Sequence, residues 1–117
     1  MMVEPNRYED QPFGLPPLTI DNIRRFLMGW PEIERIEIFG SRAMGNYRYN
    51  SDIDICVWGE AIDPDLFSRI RSGLQDLPIP YKIDVVQYET ISHPPFKAHI
   101  DEHGVDFFKA LKMGRGE

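Results

Sequence analysis

The sequence predicts an α/β (α+β) domain in which helices pack on one small sheet, and three observations carry that prediction. Apolar residues recur at helical spacing in some segments and alternate in others. The segments follow one another as helix, strand, short helix, strand, helix, strand, helix, strand. The link between the first two strands is only about a dozen residues, too short for a crossover with a long helix, so those strands are expected to be antiparallel neighbours. A chain of 117 residues, 42% hydrophobic, can form one core and not two.

Residues 1–17 hold four prolines (Pro5, Pro12, Pro16, Pro17) and several charges without periodicity, so they are expected to form a flexible leader. Phe13 and Leu15 are its two candidates for docking, on the body or on a partner. The ordered domain is expected over 18–112, with 113–117 frayed. Thr19 is a good N-cap, Ile20, Ile23, Leu27 and Trp30 follow at helical spacing, and Pro31 stops the helix. Glu34 to Phe39 reads as a strand with Ile36 and Ile38 on one face, ending at Gly40. Ser41 to Asn50 is a polar, glycine-containing connection that can open with a helical turn. Ile53 to Trp58 is the second strand. Asp63-Pro64 is a cap with proline at the first helical position, and Leu66, Phe67, Ile70 and Leu74 mark the helix that follows. Tyr81 to Tyr88 contains the third strand, Pro95 to His103 the last helix, closed by Gly104, and Val105 to Phe108 a short fourth strand.

Charge and cysteine content exclude several functions. With 19 acidic and 13 basic residues the net charge is −6, and no Lys/Arg stripe offsets it, so sequence-independent nucleic-acid binding is not expected. The single cysteine, Cys56, rules out a disulfide framework and a Cys-rich zinc site. The N-terminus lacks an apolar stretch of signal-peptide length, and no window approaches the ~18 apolar residues of a membrane span. The expectation is a small, acidic, cytoplasmic domain.

One stretch carries chemistry. Asp52 and Asp54 stand two apart at the start of a strand, so both carboxylates point the same way. Like charges so placed repel, and a hard cation with oxygen ligands removes the conflict; Mg²⁺ is held in this manner by one or two carboxylates plus substrate phosphates. Ile53 and Ile55 point into the core. Gly40-Ser41 sits where the preceding strand turns: glycine lets backbone approach a phosphate, and N–H groups of the next turn attract anions. Arg42 and Arg48 add positive charge in an acidic chain. Asp84, an acid inside the hydrophobic run Ile83 to Val86, faces Asp52 and Asp54 if the third strand lies beside the second. An Asp-x-Asp alone is weak, but Gly-Ser, ten residues, Asp-x-Asp recurs by chance in roughly a few per thousand chains of this length.

This pattern resembles the minimal nucleotidyltransferases of the DNA polymerase β superfamily, whose signature is Gly-Ser, a ten-residue spacer and Asp-x-Asp. The likeness covers about residues 20–110 and includes Phe39, Gly40-Ser41-Arg42-Ala43, Gly45, Arg48, Ser51 to Asp54, Ile83 to Val86 and the ending with Glu102 and Gly104. Met44 departs from it, standing where the family often has arginine. The resemblance implies the nucleotidyltransferase fold, a small mixed sheet against helices, and transfer of AMP from ATP to an acceptor hydroxyl. Asp52 and Asp54 would hold two Mg²⁺ ions. Asp84 would share the catalytic ion and help the acceptor lose its proton. Gly40 and Ser41 would cradle phosphates, with Arg42 and Arg48 neutralising pyrophosphate. Larger relatives carry an acceptor domain, for which this chain has no room. Minimal members typically pair with a HEPN-type helical toxin, and the chain resembles the antitoxins that adenylylate a tyrosine of that partner. Two alternatives stand beside this reading: a catalytically idle binding antitoxin, and a small-molecule (aminoglycoside-like) transferase working as a homodimer.

Other residues read more plainly. His99 and His103 share a helix face but offer too few ligands for zinc, so a solvated face is expected. Tyr47 and Tyr49 read as exposed loop residues, Cys56 as a buried thiol, and Trp30 and Trp58 as core or rim aromatics.

Overall fold

The computed structural model describes residue 8 and residues 10–114. Helix α1 (Pro17–Met28) opens with Pro17 at its first position, where a missing N–H costs nothing, so it starts ahead of the expected cap at Thr19. Strand β1 (Arg35–Phe39) leads into the single turn α2 (Ser41–Met44), which Gly45 closes at φ +86°. Strand β2 (Ile53–Trp58) precedes α3 (Pro64–Gln75), capped as expected: the Asp63 carboxylate accepts the Leu66 N–H at 2.8 Å. Strand β3 (Ile83–Gln87), α4 (Pro94–His103), β4 (Val105–Asp106) and α5 (Phe107–Gly114) complete the described chain. No helix among the described residues is long and apolar enough to cross a membrane.

The sheet runs β3-β2-β1-β4. As the short link requires, β2 is antiparallel to β1, with Phe39 opposite Asp54; β3 joins β2 in parallel through α3. Alternation then divides the two faces. One face presents Ile36, Ile38, Ile53, Ile55, Val57, Ile83 and Val85 to Ile20, Ile23, Leu27, Ile70, Leu74 and Phe107 of α1, α3 and α5, forming the main core. The other face carries Phe39, Asp54, Cys56 and Asp84 and is covered in part by α4, through a small second cluster of Phe39, Cys56 and Ile100.

Two boundaries differ from expectation. The segment expected as a flexible leader is partly built into the domain: Leu15 is fully buried in the main core, and the Phe13 ring stacks on Phe107 at 6.1 Å. Prolines hide this, because they break helical periodicity while leaving single apolar residues free to dock. Residues 1–7 and 9 of that leader lie outside the described residues. At the other end, β4 is only two residues long, and the chain from Phe107 on, for which no helix is expected, folds as α5. Its cap is Asp106, whose carboxylate accepts the Lys109 N–H at 3.0 Å. Residues 115–117 lie outside the described residues.

Burial of Leu15 makes a stability prediction. Leu15→Ala is expected to cost about 3 kcal/mol, within the usual range for emptying a core leucine site. A lower urea midpoint at unchanged slope would show it; an unchanged midpoint would mean the segment is not part of the folded unit.

Candidate active site

The acids meet because of register. Asp54 is paired with Asp84 across the parallel β2–β3 ladder, so both side chains leave the same face of the sheet, next to each other. Asp52 lies two residues before Asp54, and the Ile53 N–H donates to the Lys82 carbonyl at 2.9 Å, which extends the pairing back to the start of β2. The register therefore sets Asp54 and Asp84 side by side, with Asp52 near enough at the entry to β2 for its charge to act on Asp54.

The site is electrostatically uncomfortable. The Asp54 carboxyl is pushed above the ordinary carboxylate range, first by burial and then by the charges of Asp84 and Asp52; His99 pulls it back a little. That pull reveals a neighbour sequence reasoning missed. The His99 ring stands edge-on to Phe39, the register partner of Asp54, at 6.5 Å. The signal was its position one turn after Phe96, which also packs on Phe39, at 5.6 Å. Among the described residues no set of three or more His, Cys, Asp and Glu side chains is drawn together closely enough to ligate one ion. The acids are neighbours on one face without converging on a point.

Gly40 is the second component. Its φ of +74° and ψ of −155° fall in a region open essentially to glycine alone, and a Cβ there would run into the Asp54 carboxylate. Glycine thus does two things: it turns the chain sharply out of β1, and it leaves the space that Asp54 occupies. Ser41, half-buried, begins α2, whose first N–H groups lack intrahelical acceptors.

Arg42 is placed differently from the phosphate contact expected of it. It is 2% exposed. Its Nε donates to the Ser51 carbonyl at 3.1 Å, Nη1 to Phe13 at 2.9 Å and Gly14 at 3.3 Å, and Nη2 to Tyr49 at 3.1 Å and Arg48 at 3.5 Å. The rings of Tyr47 and Tyr81 lie 5.0 and 5.1 Å from the guanidinium carbon. A guanidinium engaged with five carbonyls and two aromatic rings has no donor left to offer a phosphate in this arrangement. Tyr47, expected to be an exposed loop residue, is half-buried as one of those rings, while Tyr49 is 58% exposed. Arg48 is exposed; its N–H donates to Ser51 Oγ at 2.7 Å, so its backbone closes the loop and its side chain points to no described acceptor. Cys56 lies deeper on the acid face, fully buried, its thiol pushed up to about 12 chiefly by burial, which makes it inert as a nucleophile.

Two predictions follow from this geometry. Gly40→Ala is expected to cost about 1–3 kcal/mol from its backbone angles and to rotate the Asp54 side chain aside; urea denaturation reads the first effect and the NMR shift of the Asp54 carboxyl carbon the second. Asp54→Asn is expected to raise the thermal midpoint at neutral pH. The reasoning is one of linkage: a raised folded-state pKa means the folded chain holds the proton more tightly than the unfolded one. Stability therefore falls as pH rises from the unfolded pKa through the folded one, and neutralising the group restores it. The gain should shrink as pH is lowered through that window.

Comparison with known proteins agrees with the architecture. The family described as polymerase beta, nucleotidyltransferase, matches residues 21–111. No curated protein matches in sequence. Among solved structures, a toxin–antitoxin complex with AMP-PNP contains a chain 21% identical, with TM-score 0.62 over 83% of this chain and 87% of that one. The toxin–antitoxin MntA-HepT gives 19% identity and TM-score 0.58 over 85% of this chain and 80% of that one. A tri-AMPylated Shewanella oneidensis HEPN toxin in complex with MNT antitoxin gives the same identity and TM-score over 85% and 86%. These likenesses concern the fold; the family match spans most of the chain, and the chain belongs to the polymerase beta nucleotidyltransferase family.

Proposed function

We propose that the chain is a divalent-metal-dependent nucleotidyltransferase that moves AMP from ATP to a tyrosine hydroxyl of a HEPN-type helical toxin, and so acts as the antitoxin of that pair. The observation that carries the reading is the pairing of Asp54 with Asp84 on parallel strands, with Asp52 two residues away and Gly40 against them. A fold does not hold three acids on one face for stability, because they repel and one of them is desolvated.

The donor set fits Mg²⁺: it is all oxygen and anionic, and a cation there offsets the burial and repulsion that push Asp54 up. Asp52 and Asp54 would hold two ions and Asp84 one of them, the three carboxylates turning in onto the cation from the neighbouring, unconverged positions they take here. Bound ions would stabilise the attacking and leaving oxygens of an in-line displacement. The acceptor oxygen bonds to the α-phosphorus, the bond from that phosphorus to the bridging oxygen breaks, and pyrophosphate leaves. Asp84, at the edge of the acid group on β3, takes the acceptor proton. The α2 turn at Gly40-Ser41 receives the terminal phosphates through its backbone N–H groups. Arg48, exposed on the loop, is the remaining cation for pyrophosphate, and Arg42 acts within the fold.

The acceptor is argued from the neighbours. Several structures of like fold are toxin–antitoxin complexes, one with AMP-PNP and one with a tri-AMPylated toxin, and they align over most of both chains. This supports a protein acceptor ahead of a small molecule. The test is incubation with Mg²⁺, α-labelled ATP and the HEPN-type protein encoded beside it. Label is expected on a partner tyrosine. Asp52→Ala, Asp54→Ala and Asp84→Ala should each reduce it by more than about a hundredfold, the scale of losing charge stabilisation at a reacting phosphoryl group. Neutralisation of the partner without label would make the chain a binding antitoxin; label only on added aminoglycosides would make it a small-molecule enzyme.

A further inference from the structure

We propose that Arg42 is the positioning residue of the acid group and that Phe13 and Gly14 are a working part of the site, because one guanidinium ties both to the peptide that sets Asp52. For the reaction itself the inference rests on the reading above, but its geometry does not. The Ser51 carbonyl that accepts from Arg42 Nε belongs to the peptide bond joining Ser51 to Asp52. On the other side of Asp52, the Ile53 N–H is fixed by the Lys82 carbonyl. Asp52 is thus held between a ladder bond of the sheet and a bond to Arg42.

The remaining donors of Arg42 explain why this anchor is firm. Nη2 holds Tyr49 and Arg48 of the same loop, and Nη1 holds Phe13 and Gly14, 28–29 residues away in sequence. The N-terminal segment is itself pinned: Phe13 stacks on Phe107 and Leu15 is in the core. Gly14 sits at φ +66° with Tyr47 so close that a Cβ would overlap its ring. That ring is one of the two that cover the Arg42 guanidinium. The loop over 45–52 is irregular backbone whose carbonyls have few ladder partners. A single buried fork of five N–H groups supplies what a sheet would otherwise supply. Lysine cannot do the same, since its ammonium is a point charge with three donors. Ligand-orienting contacts of this kind typically change metal affinity by 10–100-fold.

The experiment compares the full-length wild type with Arg42→Lys and Gly14→Ala. Neither variant removes an acid, and Gly14→Ala removes no guanidinium donor. Three quantities are measured: the thermal midpoint, Mn²⁺ binding by the electron paramagnetic resonance of the free ion, and amide hydrogen exchange of Arg48 and Ser51. Arg42→Lys is expected to speed exchange at both amides and to weaken Mn²⁺ binding about tenfold. Gly14→Ala should shift both in the same direction. Midpoints that fall while Mn²⁺ affinity and exchange over 45–52 stay at wild-type values would overturn the proposal and leave Arg42 a purely structural residue. If Arg42→Lys does not fold, Gly14→Ala decides by the same two readouts. If the wild type binds no Mn²⁺, the metal-dependent reading fails on its own. Exchange at Arg48 and Ser51 then decides the clamp, with unchanged exchange in Gly14→Ala overturning it.

Discussion

Two carboxylates side by side on paired strands repel, and the register of β2 against β3 holds Asp54 and Asp84 in that position. The force that maintains the register comes from the opposite face. Ile53, Ile55, Ile83 and Val85 alternate with the acids and are buried against α1 and α3. A slip of one residue would send the acids into that core and the isoleucines into water, so the apolar face determines the placement of the polar one. Each strand is divided along its length: one side stabilises the fold, and the other uses part of that stability.

The turn and the loop next to the acids solve two backbone problems raised by such a cluster. The chain leaving β1 must bend beside Asp54 without occupying its volume, which only a residue lacking Cβ can do. The loop returning to β2 must hold a fixed shape without regular hydrogen bonding, which Arg42 provides from within. A buried arginine normally demands a carboxylate partner. Here backbone carbonyls and two tyrosine faces solvate the charge and no carboxylate hydrogen-bonds it, while the charge of Asp52 favours it through space. Burial still pulls the Arg42 pKa down from its ordinary value, but arginine starts so high that it keeps its charge.

Much of this was legible in the sequence because it depends on parity and punctuation. The Asp52, Asp54 and Asp84 positions follow from period-two alternation in two strands, and the β1–β2 pairing follows from the length of their link. The Asp63-Pro64 cap was read correctly for the same local reason. What escaped depends on contacts between residues distant in sequence. Leu15 could be named as a docking candidate but carries no periodic signal, and only packing shows that it belongs to the core. Arg42 looked like a free cation because its acceptors are backbone carbonyls, which no side-chain pattern records. His99 was assigned to a solvated face because the helix was read without knowing which side of the sheet it covers. Helix α5 was missed for want of length: eight residues give barely two turns in which to see a stripe.

Helix α4 explains why the acid face is neither a core nor an open surface. Its residues meet the sheet at Phe39 and Cys56, through Phe96 and Ile100, and the Trp58 ring beyond stacks on Tyr88 at 4.7 Å. The cover stops short of the strand ends where Asp54 and Asp84 stand, and both are left half-exposed. The extent of this cover has chemical consequences. Complete burial would keep a carboxyl protonated and unable to hold a cation. Full exposure would let water screen the charges until they neither repelled one another nor attracted an ion strongly. Half-burial keeps Asp54 desolvated and repelled by Asp84 and Asp52 while leaving it open to solvent, the condition that the proposed cation would relieve. Helix α4 thus packs on Phe39 and Cys56 and leaves Asp54 and Asp84 half-open, the depth that the proposed reaction would use.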